Sequence, residues 1–202
     1  MKHYIVLLAL GIFCVVGPQT CQAGIMFIAT LDGPSEEPAN ASPGTGFAQV
    51  DFDTVAHTMR VQASFSGLLG TTTAAHIHGA TALPGVGTAG VATQTPSFIG
   101  FPLGVTSGTF DNTYDLTLDS SYRPAFLTAS GGTAAGAEAA LYSSLLAGTA
   151  YFNIHTTSFG GGEIRGFLQA VPEPTTCVSL AIGAVAVLLQ RRFAGRKRMT
   201  SR

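Results

Sequence analysis

Thr58-Met59-Arg60-Val61-Gln62-Ala63-Ser64-Phe65 alternates without a break. Met59, Val61, Ala63 and Phe65 fall on one side of an extended chain, and Arg60, Gln62 and Ser64 on the other. That is the pattern of a strand with one buried face. Just upstream, Gly46 to Asp53 repeats it with Ala48, Val50 and Phe52. Asp53-Thr54-Val55-Ala56-His57 then supplies the turn of a hairpin. Further strands are expected over Ile25 to Leu31, Ala74 to His78, Ser107 to Phe110, Tyr114 to Leu118, Thr149 to Thr156 and Glu163 to Gln169. Gly160-Gly161-Gly162 marks a turn between the last two, which should pair as a second hairpin. One stretch reads as helix, Ala134 to Ala147, with Leu141, Leu145 and Leu146 spaced for one face and Gly148 as its stop. Thr81 to Gly104 is a long Gly/Pro/Thr loop carrying Phe98, Ile99, Phe101 and Leu103, a length that is either functional or packed down by its own apolar residues. Many short strands and one short helix predict an all-β fold, an antiparallel sandwich or barrel.

The ends differ from this middle. Met1-Lys2-His3 is a short basic start, Tyr4 to Gly17 is apolar, and Cys21-Gln22-Ala23 precedes Gly24. This predicts a secretory signal peptide over residues 1–23, a signal helix cleaved after Ala23. At the other end Pro172-Glu173-Pro174 leads into an apolar run from Cys177 to Leu189, followed by Arg191, Arg192 and further basic residues. The pattern predicts a transmembrane helix over about 175–191, with the basic tail 191–202 on the cytoplasmic side. The order of these three parts resembles the PEP-CTERM sorting signal of Gram-negative-type bacteria, over residues 171–202. The resemblance implies an exosortase-type processing protease as partner, a precursor anchored in the inner membrane, and a mature product at the cell surface or in the extracellular matrix.

Between these ends lies one domain, residues 24–170. It carries Arg60, Arg123 and Arg165 against ten carboxylates, a formal charge of −7, although the whole chain stands at −1. Such a balance excludes nucleic-acid binding through the phosphates. Cys14, Cys21 and Cys177 all fall in the terminal segments, so the domain has no cysteine and must stand on burial alone. No nucleophile elbow, phosphate loop or CxxC motif occurs.

With so few ionisable groups, the histidines are the places where chemistry can reside. His76 and His78 are two apart and share a strand face; Tyr151, Asn153 and His155 share another. If the two strands are neighbours, three imidazoles converge, a candidate ligand set for copper or zinc. The competing reading is structural. Asn153, Thr156, Glu163 and Arg165 around these histidines suit a hydrogen-bonded network that locks strands together, with Glu163 and Arg165 on one face of the last strand.

Four segments also line up in order: Leu31-Asp32-Gly33 with Glu37-Pro38; Phe65-Ser66-Gly67-Leu68 leading to Ala75-His76-Ile77-His78-Gly79; Gly148 to Thr156; and Gly162-Glu163-Ile164-Arg165-Gly166-Phe167-Leu168. Together they resemble the CHRD domain, first recognised in chordin, from about Ile25 to Gln169. The first motif departs from the family's usual Glu-Val-Pro-Pro and reads Glu36-Glu37-Pro38-Ala39. The resemblance implies an antiparallel Greek-key β-fold, immunoglobulin-like or superoxide-dismutase-like. It implies no particular reaction. A His-x-His pair with a distant third His outlines the copper site of Cu/Zn dismutases, but the remaining ligands of that enzyme are missing. The expected function is therefore a non-enzymatic, exported domain that binds an extracellular polysaccharide or protein, or contributes to the matrix. The alternative is an envelope metalloprotein holding Cu or Zn through His76, His78 and His155.

Overall fold

The structure is a computed structural model and describes residues 24–172. The signal helix expected over 1–23 and the sorting segment beyond Pro172, including Glu173, Pro174, Arg191 and Arg192, lie outside the described residues. Among the described residues no helix is long and apolar enough to cross a membrane.

The chain runs β1 (Ile25–Asp32), β2 (Thr45–Asp53), β3 (Thr58–Ser66), β4 (Thr72–His78), β5 (Gly108–Asp115), a 3-10 turn (Asp119–Ser121), α1 (Pro124–Ala129), α2 (Ala134–Leu146), β6 (Tyr151–Thr156), β7 (Ile164–Phe167) and β8 (Gln169–Ala170). Seven strands form one path in the order β4-β6-β7-β1-β2-β3-β5, and β8 pairs with β1. Every pairing is antiparallel. The sheet curls into a half-barrel around its apolar side chains. The antiparallel all-β expectation therefore holds.

The alternation read from the sequence sets which face is inside. Met59, Val61, Ala63 and Phe65 of β3 are buried, as are Ala48, Val50 and Phe52 of β2. The register pairs Val50 with Val61 and Phe52 with Met59. Both expected hairpins form, β2–β3 through residues 54–57 and β6–β7 through the triple-glycine turn. The two short strands expected over Ser107 to Phe110 and Tyr114 to Leu118 are instead one. Pairing with β3 carries the backbone through Asp111-Asn112-Thr113, and Arg60 of β3 donates to Asp111 at 2.8 and 2.6 Å across that pair.

Helix α2 starts at Thr133, whose side chain accepts a hydrogen bond from the Gly136 amide, a regular N-cap. It docks through Ala137, Leu141 and Leu145, while Leu146, expected on the same face, is half exposed. One residue beyond Leu145 turns the side chain about 100° away from the docked stripe. The Tyr142 ring meets Phe52, centroids 5.2 Å apart. Helix α1 is an addition to the sequence reading, which expected one helix; Pro124 opens it, where a missing amide proton costs nothing.

β4 and β5 are the two ends of the strand order, and the long loop fills the seam between them. Amides of Ala92, Phe98 and Gly104 donate to Ile77, Ala75 and Thr72 carbonyls at 2.9, 3.1 and 2.8 Å. The Thr93 and Ser97 hydroxyls accept from the Ile77 and Ala75 amides, both at 3.0 Å. The free edge of β4 is thus paired without a regular strand. Phe98 and Phe101 anchor the loop in the core, whereas Ile99 and Leu103 stay exposed.

Candidate metal centre

β4 and β6 are neighbours, so the convergence expected of the histidines takes place. Ala75 and Ile77 of β4 face the apolar core with Phe152 and Ile154 of β6. The opposite face carries Ala74, His76 and His78, whose partners across the ladder are His155, Asn153 and Tyr151. His155 therefore lies opposite the small Ala74, on the diagonal from His76. Ring centroids stand 5.1 Å apart for His76–His155, 5.7 Å for His76–His78 and 5.8 Å for His78–His155. One ring nitrogen from each lies within 4.8 Å of the others. That spread is wider than the about 4 Å that two nitrogens span across a shared ion. Three histidines close together in this way could hold a metal ion.

Each ring is pinned by a backbone carbonyl. His76 Nε2 sits 2.6 Å from Pro96 O, His78 Nδ1 2.9 Å from Ala89 O, and His155 Nδ1 3.0 Å from Gly160 O. A carbonyl oxygen only accepts, so each of these nitrogens carries the proton. The other nitrogens, His76 Nδ1, His78 Nε2 and His155 Nε2, are buried and have no hydrogen-bond partner. In neutral imidazoles with these tautomers they are bare lone pairs. Outer-shell carbonyls that fix tautomer and ring orientation are the usual accompaniment of metal-binding histidines. Burial pushes the pKa values of His76 and His78 down to about 4, against the hydrogen bonds to Pro96 and Ala89. It also lowers that of His155. The three rings are thus neutral at pH 7.

The surroundings are aromatic and basic. Tyr151 stacks on His78 at 4.7 Å and 9°, and the Arg165 guanidinium lies over the Tyr151 ring, 4.8 Å from its centroid. The Tyr151 hydroxyl accepts from the Ala89 amide at 3.2 Å and donates to its carbonyl, fixing the loop that also caps His78. Tyr151 and the carbonyls of Pro96, Ala89 and Gly160 were not expected as site components. Alternation places Tyr151 on the His155 face, but no sequence signal identifies a backbone carbonyl.

The four residues expected to form one strand-locking network divide into two. Glu163 lies just before β7, fully buried, and its carboxylate accepts from the Ser42 and Thr156 hydroxyls, both at 2.6 Å, and from the Leu69 and Gly70 amides at 2.6 and 3.1 Å. Burial alone would raise its pKa; these four donors outweigh that and hold it below the usual carboxylate range. Arg165 instead donates to the carbonyls of Ser35 and, at 3.0 Å, Gly87, with Glu36 Oε2 at 3.8 Å from its Nε. The two side chains share no partner. Burial pushes the Glu36 carboxyl up to about 7 despite Arg165. Asn153, opposite both His76 and Arg165, donates to Gly161 O at 3.5 Å.

The glycines of the last motif have steric reasons. A Cβ on Gly166 would overlap the Thr30 carbonyl of β1, and one on Gly162 (φ +134°) would meet Asn153 and Glu36. His57 takes the turn between β2 and β3 at φ +53° and bonds Glu138 of α2 at 2.9 Å, far from the cluster in the fold's connectivity.

No curated protein and no solved structure matches the chain. The sequence profile of the CHRD domain matches residues 27–168, nearly all of the described fold and the whole of the histidine cluster. The chain belongs to the CHRD domain family.

Proposed function

We propose that this chain is an exported CHRD domain with a binding or structural role, whose His76, His78 and His155 hold one copper or zinc ion. The observation that carries the metal is the set of three buried imidazole nitrogens with no partner, each opposite a nitrogen pinned on a carbonyl. A purely structural histidine network would satisfy both nitrogens of each ring, because an unpaired buried polar atom costs about 1–3 kcal/mol. A dismutase reaction is not proposed, since no carboxylate, thiol or further histidine joins these three among the described residues.

Metal analysis of the purified protein after equilibration with Cu(II) or Zn(II), beside a His76→Ala/His78→Ala variant, tests the reading. About one ion per chain, lost in the variant, is the expected result. Equal substoichiometric metal in both would remove the metal from the proposal and leave the strand-locking role. Export and surface display rest on the terminal segments. The mass of the C-terminal peptide from the native host tests their processing: cleavage near Pro172-Glu173-Pro174 is expected, and an intact tail through Arg202 would rule it out.

A further inference from the structure

The donor set restricts the charge of the ion. All three donors are neutral imidazoles, and no Asp, Glu or Cys stands with them among the described residues. Positive charge acts on the rings from Arg165, which lies over Tyr151, the ring stacked on His78, and from Arg123, which acts on His76; the Glu36 carboxyl stands beside Arg165 and not among the three rings. The free nitrogens are buried. A divalent ion here would bring two positive charges onto buried nitrogens with no anionic donor to offset them, and the cost of desolvating an ion grows with the square of its charge. Zn(II) and Cu(II) also seek a fourth donor, normally water or an anion where the protein supplies three. A monovalent d10 ion carries half the charge and is content with two or three nitrogens.

We infer that the three-histidine site is a three-coordinate site selective for Cu(I). This rests on the metal reading above and names the ion's oxidation state. His155 is the ring that adjusts on loading. It alone of the three is partly exposed, and its carbonyl partner, Gly160, belongs to the triple-glycine turn. Its movement lets the three nitrogens, all within 4.8 Å of one another, close on an ion, and its exposed edge is the route of entry.

The test is anaerobic titration of the purified protein with Cu(I) under ascorbate, in competition with bathocuproine disulfonate, beside Zn(II) and Cu(II) titrations against chelators of known affinity. One Cu(I) per chain is expected, bound at least about tenfold more tightly than Zn(II) or Cu(II). His155→Ala should weaken Cu(I) binding, and His57→Ala, outside the cluster, should not. Circular dichroism of each variant separates lost ligand from lost fold, and His155→Gln serves if the alanine variant is unfolded. Zn(II) or Cu(II) bound as tightly as Cu(I) overturns this inference and leaves the three-histidine metal site standing. Undiminished Cu(I) binding by folded His155 variants overturns it as well. No ion bound by the unmodified protein overturns both readings.

Discussion

At the scale of single residues, the most buried carboxylate does structural work and the histidines are left free. Glu163 closes four donors from three separate segments, at Ser42, at Leu69 and Gly70, and at Thr156. Glu163→Ala strands those donors, two of them backbone amides, in a dry interior. It should cost roughly 3–5 kcal/mol in urea unfolding, whereas Glu163→Gln, which keeps an acceptor oxygen, should cost distinctly less. A Glu163→Ala protein within about 1 kcal/mol of the parent would show that water replaces the carboxylate. The histidine nitrogens are the opposite case. On each ring the second nitrogen lacks a protein partner, a cost that a bound ion or an ordered water relieves. The His-x-His spacing in the sequence places two rings on one face, and the third ring arrives only through the β4–β6 ladder.

At the scale of elements, close approach and docking decide what each may carry. β7 crosses β1 so tightly that Gly166→Ala sets a methyl group against the Thr30 carbonyl. Loss of soluble, folded protein by circular dichroism is expected. Gly160→Ala, with open space at its Cβ, should change stability by under about 0.5 kcal/mol. Helix α2 gives a parallel contrast. Leu141→Ala empties a core position and should cost about 2–5 kcal/mol, while Leu146→Ala, half exposed, should be nearly silent. Equal effects of the two leucine changes on the denaturation midpoint would contradict the docked face. The periodicity of α2 was legible, but its three leucines cannot share one narrow stripe; which two are buried depends on the sheet it meets. Helix α1, only six residues long, is too short for periodicity to reveal.

For the molecule as a whole, the buried titratable groups predict how stability follows pH. His76 and His78 have folded pKa values of about 4, below the ordinary 6.5. The unfolded chain therefore binds more protons between these limits. Their contribution is present above pH 6.5 and is lost as pH falls toward 4. Glu36 acts in the other direction: raised from 4.5 to about 7, it favours the fold at low pH and loses that contribution as pH rises through 7. Two histidines against one glutamate leave a net loss on acidification from pH 7 to 4.5. Urea midpoints across that range should fall, and fall less steeply in a folded His76→Gln/His78→Gln variant. An unchanged slope in that variant would refute the assignment. A bound ion adds to the effect, because protons and metal compete for the same lone pairs. Chelator should therefore lower the melting temperature of the loaded protein at pH 7 and change it little once the pH falls below about 4, where His76 and His78 are protonated.

Local pattern alone determined the strands from Ile25 to Phe65, the two hairpins, helix α2 and the shared face of His76 and His78. Each depends on a period of two or 3.6 residues, or on a turn glycine, and such signals are contained within a few positions. The family motifs added the domain's extent. Tertiary structure decided the rest, because it depends on residues far apart in the chain. It joined Ser107–Phe110 and the following turn residues into one strand, since β3 was there to pair with them. It used Thr93 and Ser97 to complete the β4 edge. It separated Glu163 from Arg165, sending one carboxylate to Ser42 and one guanidinium to Ser35 and Gly87. It brought Pro96, Ala89 and Gly160 carbonyls onto the three rings. A backbone carbonyl has no letter in the sequence, so the device that fixes the tautomers, and with them the candidate site, exists only in the folded chain.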